Sequence, residues 1–244
     1  MPKWGWKPQL PHFKDGLYAY RPRLEPEPNV VYNLCPPPRD QGNLGSCVFC
    51  SLASLMESSE IKNDHDDWWV FSPMFAYYEY RSRFSLVEND DGAWIREAIK
   101  ILADIGVCRE SLWPYRENNF TARPSLEAYK DAANHQVLSY HAVPQSIDSM
   151  ISCLSEGHNF VGGISVFENY ENIKDGLWPM PKGQLLGGHA LMFYGYDKYL
   201  QVFHGLNSWG DEWGRNGRFM MPFSYLADPG LASDFWTIRV VEQC

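Results

Sequence analysis

The first half of the chain carries apolar residues at helical spacing. Between residues 47 and 61 they stand three and four apart with no proline or glycine among them, which predicts a helix over 47–61. Ser72-Pro73, a favoured N-cap followed by a first-turn proline, predicts a second helix that runs through Tyr78. A third helix is predicted from near Asp91 to a stop at Gly106.

From about residue 136 the pattern changes to short β-rich runs. One predicted helix, 146–156, interrupts them because its apolar residues return to helical spacing. Helices followed by strands indicate an α+β fold with a helical lobe over about 40–128 and a sheet-rich lobe over about 129–244. The predicted strands are 137–143, 160–167, 189–196, 202–206, 218–221 and 235–241.

Residues 1–34 form a proline-rich N-terminal extension, called the arm below. Nine of the 17 prolines lie within the first 38 residues, and proline both removes a backbone donor and disfavours a helix at the preceding residue. An extended arm is therefore expected. Because it is also rich in aromatic rings, we expect it to lie against an apolar surface, either of the chain's own body or of a partner. These rings include Trp4, Trp6, Phe13, Tyr18 and Tyr20.

Charge and composition narrow the possible partners and the compartment. Thirty acidic against 21 basic residues give a formal charge of −9, which argues against nucleic acid or an anionic membrane as a partner. The sequence has neither an apolar run of about 18 residues nor a secretory signal, so we expect a soluble protein and favour the cytoplasm. Six cysteines are too few for a disulfide scaffold, so free thiols are expected.

Cys47 is the candidate nucleophile. The glycine-containing loop 40–46 leads directly into the first predicted helix and puts Cys47 at its N-terminus. Unpaired backbone N–H groups and the helix dipole favour an anion there, so the pKa of the thiol is expected to fall. Two other interpretations stay open: Cys47 is a small buried apolar residue, or it forms a C-x-x-C redox or metal pair with Cys50.

A thiolate nucleophile needs a base, and the base needs an orienting group. His189 follows two glycines at the start of a predicted strand and is the preferred base, with His204 as second choice. Asn207 can accept a hydrogen bond from one imidazole nitrogen and leave the other for the thiol. Trp209 is expected to shield that bond from water, and Trp213 to wall the leaving-group side of the cleft.

Three motifs follow one another in the chain. They are Gln41-Gly42-x-x-Gly45-Ser46-Cys47, Gly188-His189-Ala190 and Asn207-Ser208-Trp209-Gly210-x-x-Trp213-Gly214-x-x-Gly217. Together they resemble the papain family of cysteine peptidases, and the resemblance covers residues 35–244. It implies a papain-like peptidase domain over 35–244, with two lobes and a cleft between them, behind the extension at 1–34.

The resemblance also implies a role for each motif residue. Cys47 is the nucleophile, His189 the general base and acid, and Asn207 the orienting residue. Gln41 supplies a side-chain N–H, beside the backbone N–H of Cys47, to the oxyanion of the tetrahedral intermediate. The implied reaction is hydrolysis of a protein or peptide substrate through a thioester acyl-enzyme, with no cofactor and no metal.

The sequence departs from the family pattern near the nucleophile. Leu44 stands where a cysteine is usual, and Val48 where an aromatic residue is usual, so the disulfide of secreted relatives is not expected. A pairing of Cys108 with Cys153 stays open. Only about 34 residues precede the resemblance, and we hypothesise that this arm crosses or borders the cleft and limits access to it. The alternative is an arm that merely straps the two lobes together.

The pocket for the residue two before the cut is implied at Gly92, Ala93 and Gly188, with Trp209 and Trp213 as further substrate-binding residues. The residues just ahead of the histidine carry no acidic side chain, which favours an apolar substrate side chain there. The acidic run 64–67 is more typical of a solvated loop than of a metal site.

The sequence is also compatible with other functions. The same machinery serves other acyl transfers, such as ligation or deamidation. A C-x-x-C redox protein and an inactive binding module are less favoured, the latter because Cys47, His189, Asn207 and Gln41 are all present.

Overall fold

The computed structural model describes residues 3–19, 27–31, 35–62 and 69–241. These residues form a mixture of α-helices and antiparallel strands. The helices are α1 (Cys47–Lys62), α2 (Pro73–Arg83), α3 (Ile95–Asp104), α4 (Leu126–Ala132), α5 (Ile147–Ser155) and α6 (Phe223–Ala227). The strands are β1 (Asn29–Val31), β2 (Val137–Ala142), β3 (Phe160–Phe167), β4 (Leu185–Asp197), β5 (Val202–Leu206), β6 (Arg218–Pro222) and β7 (Ala232–Val241).

The α+β prediction is confirmed, and most element boundaries agree to within a few residues. Two starts differ by about four residues: β4 begins at Leu185 and not at His189, and the third helix begins at Ile95 and not near Asp91. Gly92 adopts a left-handed φ of +73°, and Ala93 forms a parallel bridge with Trp6 of the arm. The segment before α3 is therefore drawn into an extended contact. The periodicity does not predict β1, α4 or α6, because a strand of three residues and helices of seven and five residues are too short to show it.

One antiparallel sheet organises the second half of the chain. Its strands follow the order β2-β7-β3-β4-β5-β6, and β1 pairs with β4. Neighbouring residues of one strand face opposite sides, as in any pleated sheet. In β4, Met192 packs into a cluster with α1, α2 and α3, whereas Phe193 packs into a second cluster that includes α5. The sheet therefore separates two apolar cores.

Helix α1 is the buried centre of the helical half. Its residues from Cys47 to Met56 are all buried, and it packs against β4 and β7. In the second half of α1, the buried carboxylate of Glu57 pairs with Arg39 and accepts a hydrogen bond from the backbone N–H of Phe71 at 2.8 Å. These contacts fix the loop that precedes Cys47.

The cysteines are free thiols in the described part of the chain, which includes all but Cys244. Cys108 lies in the first core and Cys153 in the second, so the sheet separates the two candidates for a disulfide. Among the described residues, no helix has the length and apolarity required to cross a membrane.

Residues of the arm lie along the body and contribute rings to both cores, Trp6 to the first and Tyr18 to the second. The indole of Trp6 is 8% exposed, and Trp6 N–H donates to the carbonyl of Gly188 at 3.0 Å. Further along, the Tyr18 ring is buried and Tyr18 N–H donates to the Ala142 carbonyl at 2.8 Å. Tyr20 lies outside the described residues.

A side-chain hydrogen bond joins α1 to β4 next to His189. The Ser51 hydroxyl donates to the carbonyl of Ala190 at 2.9 Å. We expect Ser51→Ala to lower the free energy of unfolding by about 1 kcal/mol, because a buried carbonyl loses a donor. Ser59→Ala is the matched control, since the Ser59 hydroxyl bonds only within its own helix, to Leu55. Urea denaturation measures the free energy of unfolding of both variants. Equal losses would contradict a stabilising role for the bond between α1 and β4.

Candidate active site

The loop before α1 is fastened to the sheet half of the molecule. Asp40 forms an antiparallel bridge with Trp209, and Gln41 N–H donates to the carbonyl of Ser208 at 2.9 Å. Cys47 then begins α1 and is fully buried. The candidate nucleophile and the third motif, which begins at Asn207, therefore share one region, although they are far apart in the chain.

His189 lies in β4, opposite Ile164 of β3, and its ring is completely buried. Its Nε2 lies 2.8 Å from Oδ1 of Asn207, which follows the end of β5. Trp209 stacks on the imidazole, with ring centroids 4.6 Å apart and planes at 22°. Nδ1 has no hydrogen-bond partner among the described residues, so this nitrogen is available to a reacting group.

The Gln41 side chain is held by Ser208 and donates to two carbonyls. Its Oε1 accepts a hydrogen bond from the Ser208 hydroxyl at 2.7 Å. Its Nε2 lies 2.8 Å from the carbonyl oxygen of Leu44 and 3.0 Å from that of Lys3 in the arm. A carbonyl of the arm thus accepts a hydrogen bond from the side-chain N–H that is predicted to stabilise an oxyanion.

The arm crosses the region that contains these residues. The Trp4 ring makes edge contacts with His189 and Trp209, at centroid distances of 6.1 and 5.8 Å. Gly5 follows, and its carbonyl accepts a hydrogen bond from Ala93 N–H at 2.7 Å. The Trp6 ring then covers Gly188. The arm therefore runs from Gln41 across the imidazole to Ala93.

Gly5 passes through a gap that only a glycine fits. A Cβ on Gly5 would overlap the carbonyl of Gly45, and a Cβ on Gly92 would overlap the carbonyl of Gly5. Lys3 adds an ion pair to Asp90 at 2.7 Å. Close contact of the Gly5 backbone with the backbones of Gly45 and Gly92 therefore fixes the position of the arm here, together with side-chain packing.

Burial under the arm leaves both candidate groups neutral. It raises the pKa of Cys47 to about 11, and the backbone groups of Ala190 and Gly5 offset only part of that rise. Burial likewise lowers the pKa of His189 to about 4, against a smaller upward effect of Asn207. The expectation of a lowered thiol pKa is therefore wrong for the covered protein, because removal of water outweighs the effect of the helix N-terminus.

The predicted pocket residues Gly92, Ala93 and Gly188 all contact the arm. Sequence reasoning misses one residue there, Asp234, which adopts φ +59° at the start of β7. Its carboxylate accepts hydrogen bonds from Trp6 Nε1 at 3.2 Å and from Gln9 N–H at 2.9 Å. Burial raises the pKa of Asp234 to about 6. Asp234 belongs to no motif and lies far along the chain from the arm, so no sequence pattern predicts that it binds the arm.

Other candidates lie elsewhere or outside the described residues. His204 lines a separate cavity of about 240 Å³ together with Tyr194 and Arg218. Cys50 is buried beside Ser46, to which it forms a sulfur contact at 3.8 Å. The acidic run 64–67 lies outside the described residues, within which no cluster of metal-ligating side chains occurs.

Known proteins resemble this chain in sequence and in fold. The family model for papain family cysteine proteases matches residues 31–233. A peptidase C1-like protein of Acanthamoeba polyphaga mimivirus is 37% identical over 244 residues, covering 95% of this chain and 76% of the viral protein. A cathepsin B-like protein of Giardia intestinalis is 25% identical over 189 residues, covering 74% of this chain and 62% of that protein.

A solved structure resembles the whole described fold. The crystal structure of xylellain, a cysteine protease from Xylella fastidiosa, has a TM-score of 0.90 and 34% sequence identity, with 98% of this chain and 96% of that chain covered. Fold and comparisons together define a cysteine peptidase with protein or peptide substrates. The chain belongs to the papain family of cysteine proteases.

The pKa of the covered thiol gives a direct test. At about pH 5 to 7 iodoacetamide is expected to leave Cys47 unlabelled in the native protein, and its labelling rate should rise as the pH approaches 11. Peptide mapping by mass spectrometry measures the rate, with the urea-denatured chain as the reference for an ordinary thiol. Rapid and selective labelling of native Cys47 at about pH 5 would contradict the burial of this group.

Proposed function

We propose that this protein hydrolyses peptide bonds with Cys47 as nucleophile, His189 as general base and acid, and Asn207 as orienting residue, in a peptidase domain over 35–244. The main support is the 2.8 Å contact between His189 Nε2 and Asn207 Oδ1. With Nε2–H donated to Asn207, the lone pair of the imidazole resides on Nδ1. This is the tautomer that accepts a proton from a thiol.

Catalysis begins when Nδ1 of His189 takes the proton of Cys47. The thiolate attacks the carbonyl carbon of the substrate, and the oxyanion receives hydrogen bonds from Gln41 Nε2 and Cys47 N–H. The intermediate collapses as imidazolium protonates the leaving amine, and a thioester remains on the sulfur. His189 then deprotonates a water molecule, which hydrolyses the thioester and restores the thiol.

The proposed roles of Gln41 and Trp209 are supported by their surroundings. Gln41 already donates to a peptide carbonyl, that of Lys3, and the Ser208 hydroxyl prevents rotation of its amide. Trp209 covers one face of the imidazole and thereby reduces competition by water for the bond to Asn207. Neither group has to move when charge develops.

We expect Cys47→Ala to abolish peptide hydrolysis. Gln41→Ala should lower kcat by about 10²- to 10³-fold, because one oxyanion donor is lost. Cys50→Ala is the control: it removes the second cysteine of the C-x-x-C pair and should retain most of the activity. Hydrolysis of a fluorogenic peptide measures all three, in a variant whose arm is displaced as described below. Loss of activity in Cys50→Ala alone would favour the redox interpretation.

The arm is proposed to inhibit the enzyme. A substrate of this family places its acyl part near Ala93 and its leaving part near Trp213, so its chain direction runs from Ala93 to Trp213. The arm runs the opposite way, from Trp4 at Trp209 to Trp6 at Ala93. A reversed chain fills the cleft, but exchanges the positions of carbonyl and amide nitrogen relative to a substrate. The arm therefore blocks the site without being cut.

Gly5→Val tests this role of the arm, because the added side chain would overlap the Gly45 carbonyl and leaves the catalytic domain unaltered. We expect peptide turnover to rise by about tenfold or more, and Cys47 to become reactive with iodoacetamide at about pH 5. Phe13→Ala is the control, since that arm ring is 88% exposed. An arm that only straps the lobes together predicts lower stability with unchanged turnover.

A further inference from the structure

A cavity of about 470 Å³ adjoins the candidate active site, and its described lining includes none of Gly92, Ala93 and Gly188. It includes Trp209, which stacks on His189, and Gly42, which directly follows Gln41. Trp213 forms another wall and meets Trp209 edge-on at 5.0 Å. The cavity begins at the indole that stacks on the imidazole, and this imidazole is proposed to protonate the leaving amine. We therefore place the part of the substrate that follows the cut bond in this cavity.

Acidic side chains surround this cavity. Asp40, Glu171 and Glu212 line it, and all three are exposed. No ion pair involves them within the described residues. Glu117 stands at the same edge and accepts a hydrogen bond from Asn43 N–H at 2.8 Å. The described lining holds no lysine or arginine, so its charge is uncompensated.

The remaining walls are apolar and suit a long side chain. Trp213 and Ile173 are half-buried and offer an aromatic and an aliphatic surface. Lysine and arginine bury their methylene stems against such surfaces and keep the charged end in water, and an aromatic face also attracts the cation. An acidic substrate side chain would instead meet three like charges.

We infer that this cavity selects a lysine or arginine in the first two positions after the cut bond. The inference rests on the proposed function, because it concerns the substrate of the same site. Trp213 and Ile173 contact the stem of the basic side chain, and Glu171 and Glu212 attract its cation. The expected substrates are therefore proteins with a basic residue immediately downstream of the cleavage site.

Internally quenched peptides test the inference in the Gly5→Val protein. The peptides form two sets, with Lys, Gln or Glu at the first or at the second position after the cut, and a further peptide carries its Lys on the acyl side, remote from the cavity. We expect kcat/KM to be about five- to tenfold higher for Lys than for Gln and lower still for Glu, with the advantage decreasing at high salt. The remote Lys should give a smaller effect.

A double variant separates the cavity from the net charge of the molecule. Glu171→Gln with Glu212→Gln should reduce the preference for Lys over Gln to less than about twofold, because the attraction for the cation is lost. Glu127→Gln with Asp148→Asn is the control, because it removes two exposed charges on other elements and should keep the preference. An equal loss in both variants would overturn the inference in favour of a general charge effect.

The result also distinguishes this inference from the proposed function. If none of the peptides is cleaved by the Gly5→Val protein, the proposed function fails. If the peptides are cleaved in a Cys47-dependent manner, but Lys, Gln and Glu are equivalent after the cut, the function stands and the inference is overturned.

Discussion

The packing of one buried helix on one buried strand brings the candidate site together. Helix α1 starts at Cys47 and β4 contains His189, and the Ser51 hydroxyl ties the two elements one residue beyond the imidazole. A well-packed interior resists small displacements. Core packing therefore sets the relative position of Cys47 and His189.

The loop before α1 adds the second constraint. Its bridge to Trp209 and its backbone bond to Ser208 join the nucleophile side to the asparagine side of the site. Gln41 accepts a bond from Ser208 through its oxygen and offers its nitrogen to a carbonyl. One short segment thus supplies a rigid donor and a connection between the two halves.

The sequence predicts the elements that carry strong periodicity and the residues that carry motifs. Helix α1 and strands β3 and β5 match their predicted ranges closely. Their apolar residues are spaced as a buried helix or strand requires, and such spacing is visible in the sequence. The start of α3 is different, since it depends on a contact between Ala93 and the arm that no local pattern encodes. The prediction of a lowered pKa for Cys47 is wrong for the same reason. It used the position of Cys47 on its helix, which is a local feature, whereas the burial comes from a distant segment of the chain. Asp234 also acquires its role only through the arm.

The arm belongs to the same chain as the cleft that it covers, and this has a kinetic consequence. A tethered segment acts at an effective concentration fixed by the chain, on the order of millimolar for short flexible connections. Dilution cannot release it, and an external peptide must exceed that concentration, weighted by the relative affinities, to displace it. Under the proposed inhibition, enzyme output follows the equilibrium between docked and lifted arm and not the amount of enzyme alone, so a ligand that captures the lifted arm would control the activity without touching the proposed catalytic groups.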